Sequence, residues 1–186
     1  MSTVPPSAES PPTGRLTHVD EHGKAHMVDV TGKSATRRIA EARCSVRTVA
    51  DVARLLADPP GGLDPRASAE LAGIMAAKQT SVLLPLCHPI RLDGIDVGIR
   101  VAPHGFDVVA VATINDKTGV EMEALTACTA AGLVLLHGLF EEDPLASIDD
   151  LTLWHKSGGR SGTWERPADA DSPPGLDERT SQKSEF

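Results

Sequence analysis

Apolar and polar positions recur with two different periods along the chain and predict both strands and helices. Period-two alternation over residues 95–101 predicts a half-buried strand, and residues 103–105 predict a hairpin turn into a returning strand over 106–114. A nearly continuous apolar run over 120–140 predicts a long buried helix, and residues 151–154 predict a last short strand. Antiparallel hairpins mixed with helices indicate an α+β fold rather than a parallel sheet.

Three shorter segments between these elements also carry structural signals. Thr48 is a candidate N-cap for a helix that ends at the Pro- and Gly-rich residues 58–62, and Pro65 suits the first turn of a second helix. The apolar face of the first helix would consist of Val49, Val52, Ala53 and Leu56. The second helix would carry a stripe of Leu71, Ile74, Met75 and Lys78. Residues 81–86 predict a strand closed by prolines.

The chain length and composition predict one folded domain. The 186 residues are 40% hydrophobic, which is enough to build a core without disulfides or metals. Both ends are rich in Pro, Ser and charged residues, and such segments cannot bury enough apolar surface to offset chain entropy. We therefore predict a domain over residues 16–164 between disordered tails over 1–15 and 165–186.

Charge and cysteine content narrow the class of protein. A net charge of −8 and only 3% aromatic residues disfavour a nucleic-acid partner, which needs basic surface and stacking platforms. Three cysteines without metal-binding spacing indicate a reducing compartment, so we predict a cytoplasmic protein. The N-terminus lacks the basic start and apolar run of a signal peptide, and no uninterrupted apolar stretch reaches the roughly 18 residues of a membrane helix.

A metal or another cofactor is not predicted from the sequence. Three histidines, His18, His22 and His26, recur at four-residue steps and could in principle form a metal cluster. Gly23 interrupts any helix in that segment, so the spacing does not place the three imidazoles on one face.

Two loops carry candidate binding chemistry. Residues 156–162 read KSGGRSG, in which glycines allow close backbone approach and Lys156 could bind an anion; a flexible loop is the equally open alternative. In residues 85–89, His88 stands on a backbone stiffened by two prolines and could bind phosphate or transfer a proton, or could be a capped loop histidine. Cys87 beside it could be a nucleophile, although a buried thiol is favoured.

Carboxylates and basic side chains add to this picture. Glu121 and Glu123 begin the long helix, where acids commonly complement the helix dipole, yet both share faces with apolar residues and could line a buried site. Lys78 follows an apolar stripe, where snorkelling is the simpler interpretation. A basic stretch predicts a mostly solvated strand face from which one or two residues could meet phosphate: Lys33, Arg37, Arg38, Arg43 and Arg47. Together these groups predict a site for a small anionic ligand.

Five segments in this order resemble the cyclic pyranopterin monophosphate synthase family of molybdenum cofactor biosynthesis. The resemblance runs from Leu16 to Trp164, and its motifs are LTHVDEHGKAHMVDV (16–30), AGIMAAKQT (72–80), LPLCHP (84–89), KTGVEMEALTA (117–127) and KSGGRSG (156–162). It implies a ferredoxin-like α+β subunit with an antiparallel sheet. It also implies a homohexamer, a trimer of dimers, with active sites at subunit interfaces.

The resemblance also implies a reaction and a set of site residues. Family members are lyases that convert 3′,8-cyclo-7,8-dihydro-GTP, supplied by an upstream radical GTP cyclase, into the pterin product cyclic pyranopterin monophosphate and release pyrophosphate. Glu121 and Glu123 would be catalytic, and His137, which departs from the family pattern, is a third candidate catalytic residue. The substrate-binding residues implied are Arg38, Lys78, Cys87, His88, Lys156, Gly158 and Gly159.

Three positions depart from the family pattern. Gly62 stands where the family has a catalytic lysine, and His137 and Phe140 stand where it has a catalytic aspartate and a second lysine. His137 could exchange protons in place of the aspartate. Two alternatives therefore remain open beside the family reaction: a diverged enzyme acting on a related cyclised nucleotide, and a non-catalytic homologue that binds ligand or forms oligomers.

Overall fold

An antiparallel sheet with helices on one face organises the chain. The structure is a computed structural model that describes residues 22–167. The elements of this part are β1 (Thr36–Arg47), α1 (Val52–Ala57), α2 (Pro65–Ala77), α3 (Thr80–Leu83), β2 (Gly94–Ala102), β3 (Gly105–Asp116), α4 (Glu121–Leu139), β4 (Ser147–Ser157) and β5 (Trp164–Glu165). A single 3-10 turn, Pro60–Gly62, precedes α2.

The strands are ordered β2-β3-β1-β4-β5, so β1 is central and pairs antiparallel with both β3 and β4. Its residue Ala42 faces Ala110 on one side and Leu153 on the other. With α2 and α4 as the two crossover helices, the first four strands form a β-α-β-β-α-β arrangement of the kind found in ferredoxin-like folds. The predicted α+β class, the β2–β3 hairpin and the long helix are confirmed.

The core lies between one face of the sheet and α4. Alternate β1 residues point to this face and are all fully buried: Ala40, Ala42, Cys44 and Val46. The helix contributes small side chains such as Ala127 and Ala131, which let it lie close to the strands. The thiol of Cys128 on α4 lies 3.2 Å from the Ala42 carbonyl oxygen. By length and composition α4 could span a membrane, but eight of its residues are buried within the chain, as in a core helix.

Helix α2 packs on α4 through small residues rather than through its large apolar ones. The buried positions of α2 are Ala69, Gly73 and Ala77, whereas Leu71 and Met75 are more than half exposed. The predicted apolar stripe is therefore wrong for those two residues. Close approach of the two helices decides the contact, because side chains larger than alanine would hold them apart.

The opposite face of the sheet carries buried charge. Arg43 is 4% exposed; its Nε lies 2.7 Å from Glu41 Oε1, and its guanidinium lies 4.0 Å from the centre of the Trp154 ring. Asp107 is fully buried and accepts from Arg100 at 2.7 Å. The prediction of a solvated strand face is thus wrong for Arg43, because its charge is paired and covered by an aromatic ring.

Two local predictions between β1 and β2 are wrong. Residues 81–86 do not form a strand, because Thr80–Leu83 is a helical turn and the chain then turns again, with Cys87 N donating to the Leu84 carbonyl at 3.0 Å. Asp51 rather than Thr48 caps α1 and accepts from Arg54 N. Thr48 instead donates to Asp143 Oδ2 at 2.8 Å.

The structure also differs from the predicted apolar face of α1 and from the predicted C-terminal end of the domain. Of the predicted apolar face, Val52 is buried and Leu56 packs partly buried against the core, whereas Val49 and Ala53 are exposed. The other buried residue of α1 is Leu55, which was not predicted. Strand β5 pairs Glu165 with His155, so ordered pairing extends one residue past the predicted end of the domain at 164. The predicted N-terminal tail over 1–15, His18 and all but the first three residues of the predicted C-terminal tail over 165–186 lie outside the described residues.

Candidate active site

A pocket of about 160 Å³ opens where the loop after α3 meets the start of α4. Two separate segments and the turn that precedes α4 supply its walls. The lining residues are Leu86, Cys87, His88, Ile90, Thr118, Gly119, Glu121, Met122 and Glu123. Four predicted site residues therefore line the same pocket: Cys87, His88, Glu121 and Glu123. His88 and Glu121 meet there although 33 sequence positions separate them.

The loop that carries Cys87 and His88 is shaped by its flanking prolines. Pro85 and Pro89 fix the backbone on either side and cannot donate to a neighbouring strand, so the loop stays outside the sheet. Both Cys87 and His88 are half-buried. This arrangement presents a thiol and an imidazole to the pocket from a stiff backbone.

Lys156 joins the pocket through Glu121. It lies near the end of β4, and its Nζ is 3.3 Å from Glu121 Oε1, with each side chain about one-third exposed. The contact connects the sheet to the first turn of α4, where the helix dipole also favours a negative charge. The Lys156 ammonium therefore pairs with Glu121 and stays open enough to meet a ligand.

Glu123 is in a different environment from Glu121 although only one residue separates them. It is 4% exposed, and within residues 22–167 no basic side chain pairs with its carboxylate. Burial, with a smaller effect of the Glu121 charge, raises the pKa of Glu123 to about 7. Burial followed by the Glu123 charge likewise raises the pKa of the Cys87 thiol. A buried carboxyl group whose pKa lies near neutral is suited to acid–base chemistry near neutral pH.

Arg38 lies beside the pocket and bonds to the backbone that leads into it. Its Nε donates to the Asp116 carbonyl and its Nη2 to the Lys117 carbonyl, both at 2.9 Å. The glycine loop after β4 lies at the same end of β1, on its other side. A Cβ at Gly158 would collide with the Arg37 carbonyl, and one at Gly159 would collide with the Arg38 guanidinium. Gly158 is thus needed for close packing against the backbone of β1, and Gly159 lies in contact with the Arg38 side chain.

The single chain does not bring every predicted residue to this pocket. Lys78 is exposed at the C-terminal end of α2 and does not line it. His137 and Phe140 are exposed at the far end of α4. Because a helix rises about 1.5 Å per residue, His137 lies roughly 24 Å from Glu121 along the axis. Gly62 is also exposed and outside the pocket.

Arg66, the basic residue nearest to Gly62 in sequence, is engaged by its own helix cap. Its Nη2 lies 2.7 Å from Asp64 Oδ2, and its backbone N–H donates to Asp64 Oδ1. Within residues 22–167 no group of three or more His, Cys, Asp or Glu side chains is placed to hold a metal ion.

Sequence reasoning did not single out five of the lining residues. Four of them lie inside the motifs that carried the family resemblance, so the motifs could have identified them as pocket residues: Leu86, Thr118, Gly119 and Met122. Ile90 lies one residue beyond the LPLCHP motif (84–89), and no signal in the sequence marked it.

Comparison with known proteins agrees with the motif resemblance. The sequence matches the MoaC family over residues 27–159. It is 49% identical over 157 residues to cyclic pyranopterin monophosphate synthase 2 of Mycobacterium tuberculosis (strain ATCC 25618 / H37Rv), which covers 83% of this chain and 93% of the relative. It is 46% identical over 159 residues to the synthase of a Nocardioides species, covering 82% and 96%. It is 43% identical over 169 residues to that of Streptomyces avermitilis, covering 88% and 99%.

Proposed function

Because the chain belongs to the MoaC family, we propose that it is a cyclic pyranopterin monophosphate synthase of molybdenum cofactor biosynthesis. As a lyase it converts 3′,8-cyclo-7,8-dihydro-GTP into cyclic pyranopterin monophosphate and pyrophosphate. The observation that carries this function is the pocket in which His88, Glu121 and Glu123 meet, with Lys156 bonded to Glu121.

The pocket contains the groups that closure of a cyclic phosphate requires. A substrate hydroxyl loses its proton and its oxygen attacks the α-phosphorus, while the bond from that phosphorus to the bridging oxygen breaks and pyrophosphate leaves. Glu123, with a pKa of about 7, is suited to accept or return a proton. Lys156 supplies positive charge to the phosphates, with Glu121 orienting its ammonium group, and His88 can donate a hydrogen bond to them.

The remaining substrate contacts and the assembly belong to the same proposal. Lys78, Cys87 and the loop at Gly158 and Gly159 would complete the substrate-binding set. His137 would act as a proton-transfer group from a neighbouring subunit, because the separation along α4 keeps it from the pocket of its own chain. The active sites would then lie at the interfaces of a homohexamer. The protein would be cytoplasmic and receive its substrate from a radical GTP cyclase.

Turnover tests this function directly. Purified protein is given freshly prepared cyclised dihydro-GTP, and pyrophosphate and pterin product are followed by mass-resolved chromatography. We expect equal amounts of both products, with Glu123→Gln slower by about 10²–10⁴ as for loss of an acid–base group. Tight binding without product would contradict the proposal and favour a diverged enzyme or a non-catalytic homologue.

A further inference from the structure

We propose that Arg38 is a positioning residue that sets the geometry of the pocket by holding two loops together, rather than a phosphate-binding cation. The inference rests on the proposed function for its kinetic test, and on hydrogen bonds and packing alone for its structural test. It concerns Arg38 because this side chain contacts the backbone on one side of β1 and the glycine loop on the other.

The position of Arg38 in the sheet explains why it can reach both loops. It is the third residue of the central strand and faces Ile114 of β3, while the next residue, Ile39, faces Ser157 of β4. Both neighbouring strands end here. The chain after β3 runs to the start of α4, and the chain after β4 enters the glycine loop. Arg38 therefore lies between the two exits.

The guanidinium is already occupied on two of its nitrogen atoms. Nε and Nη2 each donate to a carbonyl oxygen, of Asp116 and Lys117, at 2.9 Å. The third nitrogen, Nη1, lies against Gly159, where a Cβ would not fit. A fork that meets two adjacent carbonyls is fixed in plane and direction, so its charge is oriented by the backbone and not by a ligand.

The two loops held by Arg38 carry the two ends of the ion pair in the pocket. Lys117 is four residues before Glu121, with Thr118 and Gly119 of the pocket wall between them. Gly158 is two residues after Lys156. By fixing both backbone segments, Arg38 therefore determines how Lys156 of β4 meets Glu121 at the start of α4. A displacement of about 1 Å in such an arrangement can cost about 100-fold in rate.

Lysine and glutamine variants distinguish positioning from charge. Arg38→Lys keeps the positive charge but cannot donate to two carbonyls in the fork geometry, and Arg38→Gln loses both. The matched control is the same pair of substitutions at Arg37, an exposed neighbour on the same strand. For each variant we would measure kcat and KM with cyclised dihydro-GTP, the Kd of inorganic pyrophosphate, and amide hydrogen exchange.

A positioning role makes the two Arg38 variants alike. We expect both to lower kcat by about 100-fold while the pyrophosphate Kd stays within about threefold. Amides of residues 116–119 and 157–162 should exchange faster than in the wild type and the Arg37 variants. The proposal is overturned if Arg38→Lys behaves like the wild type while Arg38→Gln loses pyrophosphate affinity, or if exchange in both loops is unchanged.

The outcome stays separate from that of the proposed function. If the wild-type protein forms no pterin product, the proposed reaction fails, yet hydrogen exchange and pyrophosphate binding still decide the role of Arg38. If the wild type is active and the Arg38 variants keep their kcat, the function stands and the positioning role is wrong.

Discussion

At the scale of single residues, Glu123 couples the pocket to stability. A carboxyl group whose folded pKa is about 7 instead of the ordinary 4.5 binds its proton more tightly in the folded state. Its contribution to stability is therefore complete below the unfolded pKa and is lost as pH rises through the folded pKa. At about 1.4 kcal/mol per pH unit, the difference between the two values corresponds to about 3 kcal/mol.

Glu123→Gln should remove this pH dependence. The wild-type free energy of unfolding should fall between about pH 4.5 and pH 7 relative to the variant, because only the wild type must ionise a buried group. Urea unfolding over that range measures the difference, and Glu121→Gln is the control, since Glu121 is partly exposed and paired. Parallel curves for the wild type and Glu123→Gln would show that Glu123 is ionised in the fold.

Lys156 is the residue for which a binding prediction is most direct. Lys156→Ala removes the cation that pairs with Glu121 and should weaken binding of a nucleoside triphosphate about 10-fold or more, since a hydrogen bond to a charged group contributes roughly 1.5–3 kcal/mol. Calorimetry with GTP measures the affinity. Lys33→Ala, at a half-buried lysine outside the pocket, should bind as the wild type does. Equal affinity in Lys156→Ala would remove this residue from the site.

At the scale of elements, the contact between α2 and α4 depends on one glycine. In an exposed helix position, Gly→Ala usually stabilises by about 0.5–1 kcal/mol. At Gly73 an added Cβ would lie 2.9 Å from the Ala127 carbonyl oxygen and 3.1 Å from a Val97 methyl group. Gly73→Ala should therefore lower Tm, despite the better helix propensity of alanine, by forcing the helices apart.

Gly138 provides the matched control in the other helix. A Cβ there meets no atom within 4 Å, so Gly138→Ala should raise Tm by about 2–4 °C, the usual shift for about 1 kcal/mol in a chain of this size. Opposite signs for the two substitutions, measured by calorimetric melting, would confirm that packing decides the α2–α4 contact. A rise in Tm for both would show that α2 can shift without cost.

Predictions from the sequence succeeded where a local pattern fixes the element. Strict alternation gave β2, and the unbroken apolar run gave α4, because these patterns have one packing solution. The run at 81–86 fits a strand or a buried helix equally well, and tertiary context made Thr80–Leu83 helical. Thr48 has the chemistry of a cap, but the carboxylate of Asp143, distant in sequence, competes for its hydroxyl.

The candidate site was predictable only as motifs. Cys87, His88, Glu121 and Glu123 were named from the sequence, yet their meeting in one pocket follows from the sheet and from the turn before α4. The separation between Glu121 as an ion-pair partner and Glu123 as a buried acid could not be read from spacing. The difference between the two glutamates arises because Glu121, and not Glu123, pairs with Lys156 of β4.

At the scale of the whole molecule, the length of α4 separates two halves of the implied catalytic set. Glu121 and Glu123 stand at its first turn in the pocket, and His137 stands roughly 24 Å away, too far to meet the same ligand. If His137 takes part in catalysis, it must do so in the pocket of another subunit. A homohexamer of 19.6 kDa chains would have a mass of about 118 kDa, which light scattering can verify.

Subunit complementation tests this arrangement. Lys156→Ala disables the pocket half and His137→Ala the distant half, so each homomeric variant should be slow. After the two are mixed, unfolded and reassembled together, about a quarter of the interface sites would combine one intact pocket with one intact His137, and about a quarter of wild-type activity should return. The reference is wild type reassembled with the variant that carries both substitutions, because this mixture has the same proportions of intact and disabled pockets and of intact and replaced His137. Absence of recovery in the mixed variants, with recovery in the reference, would mean that each site is built within one chain and that His137 acts only on the fold around it.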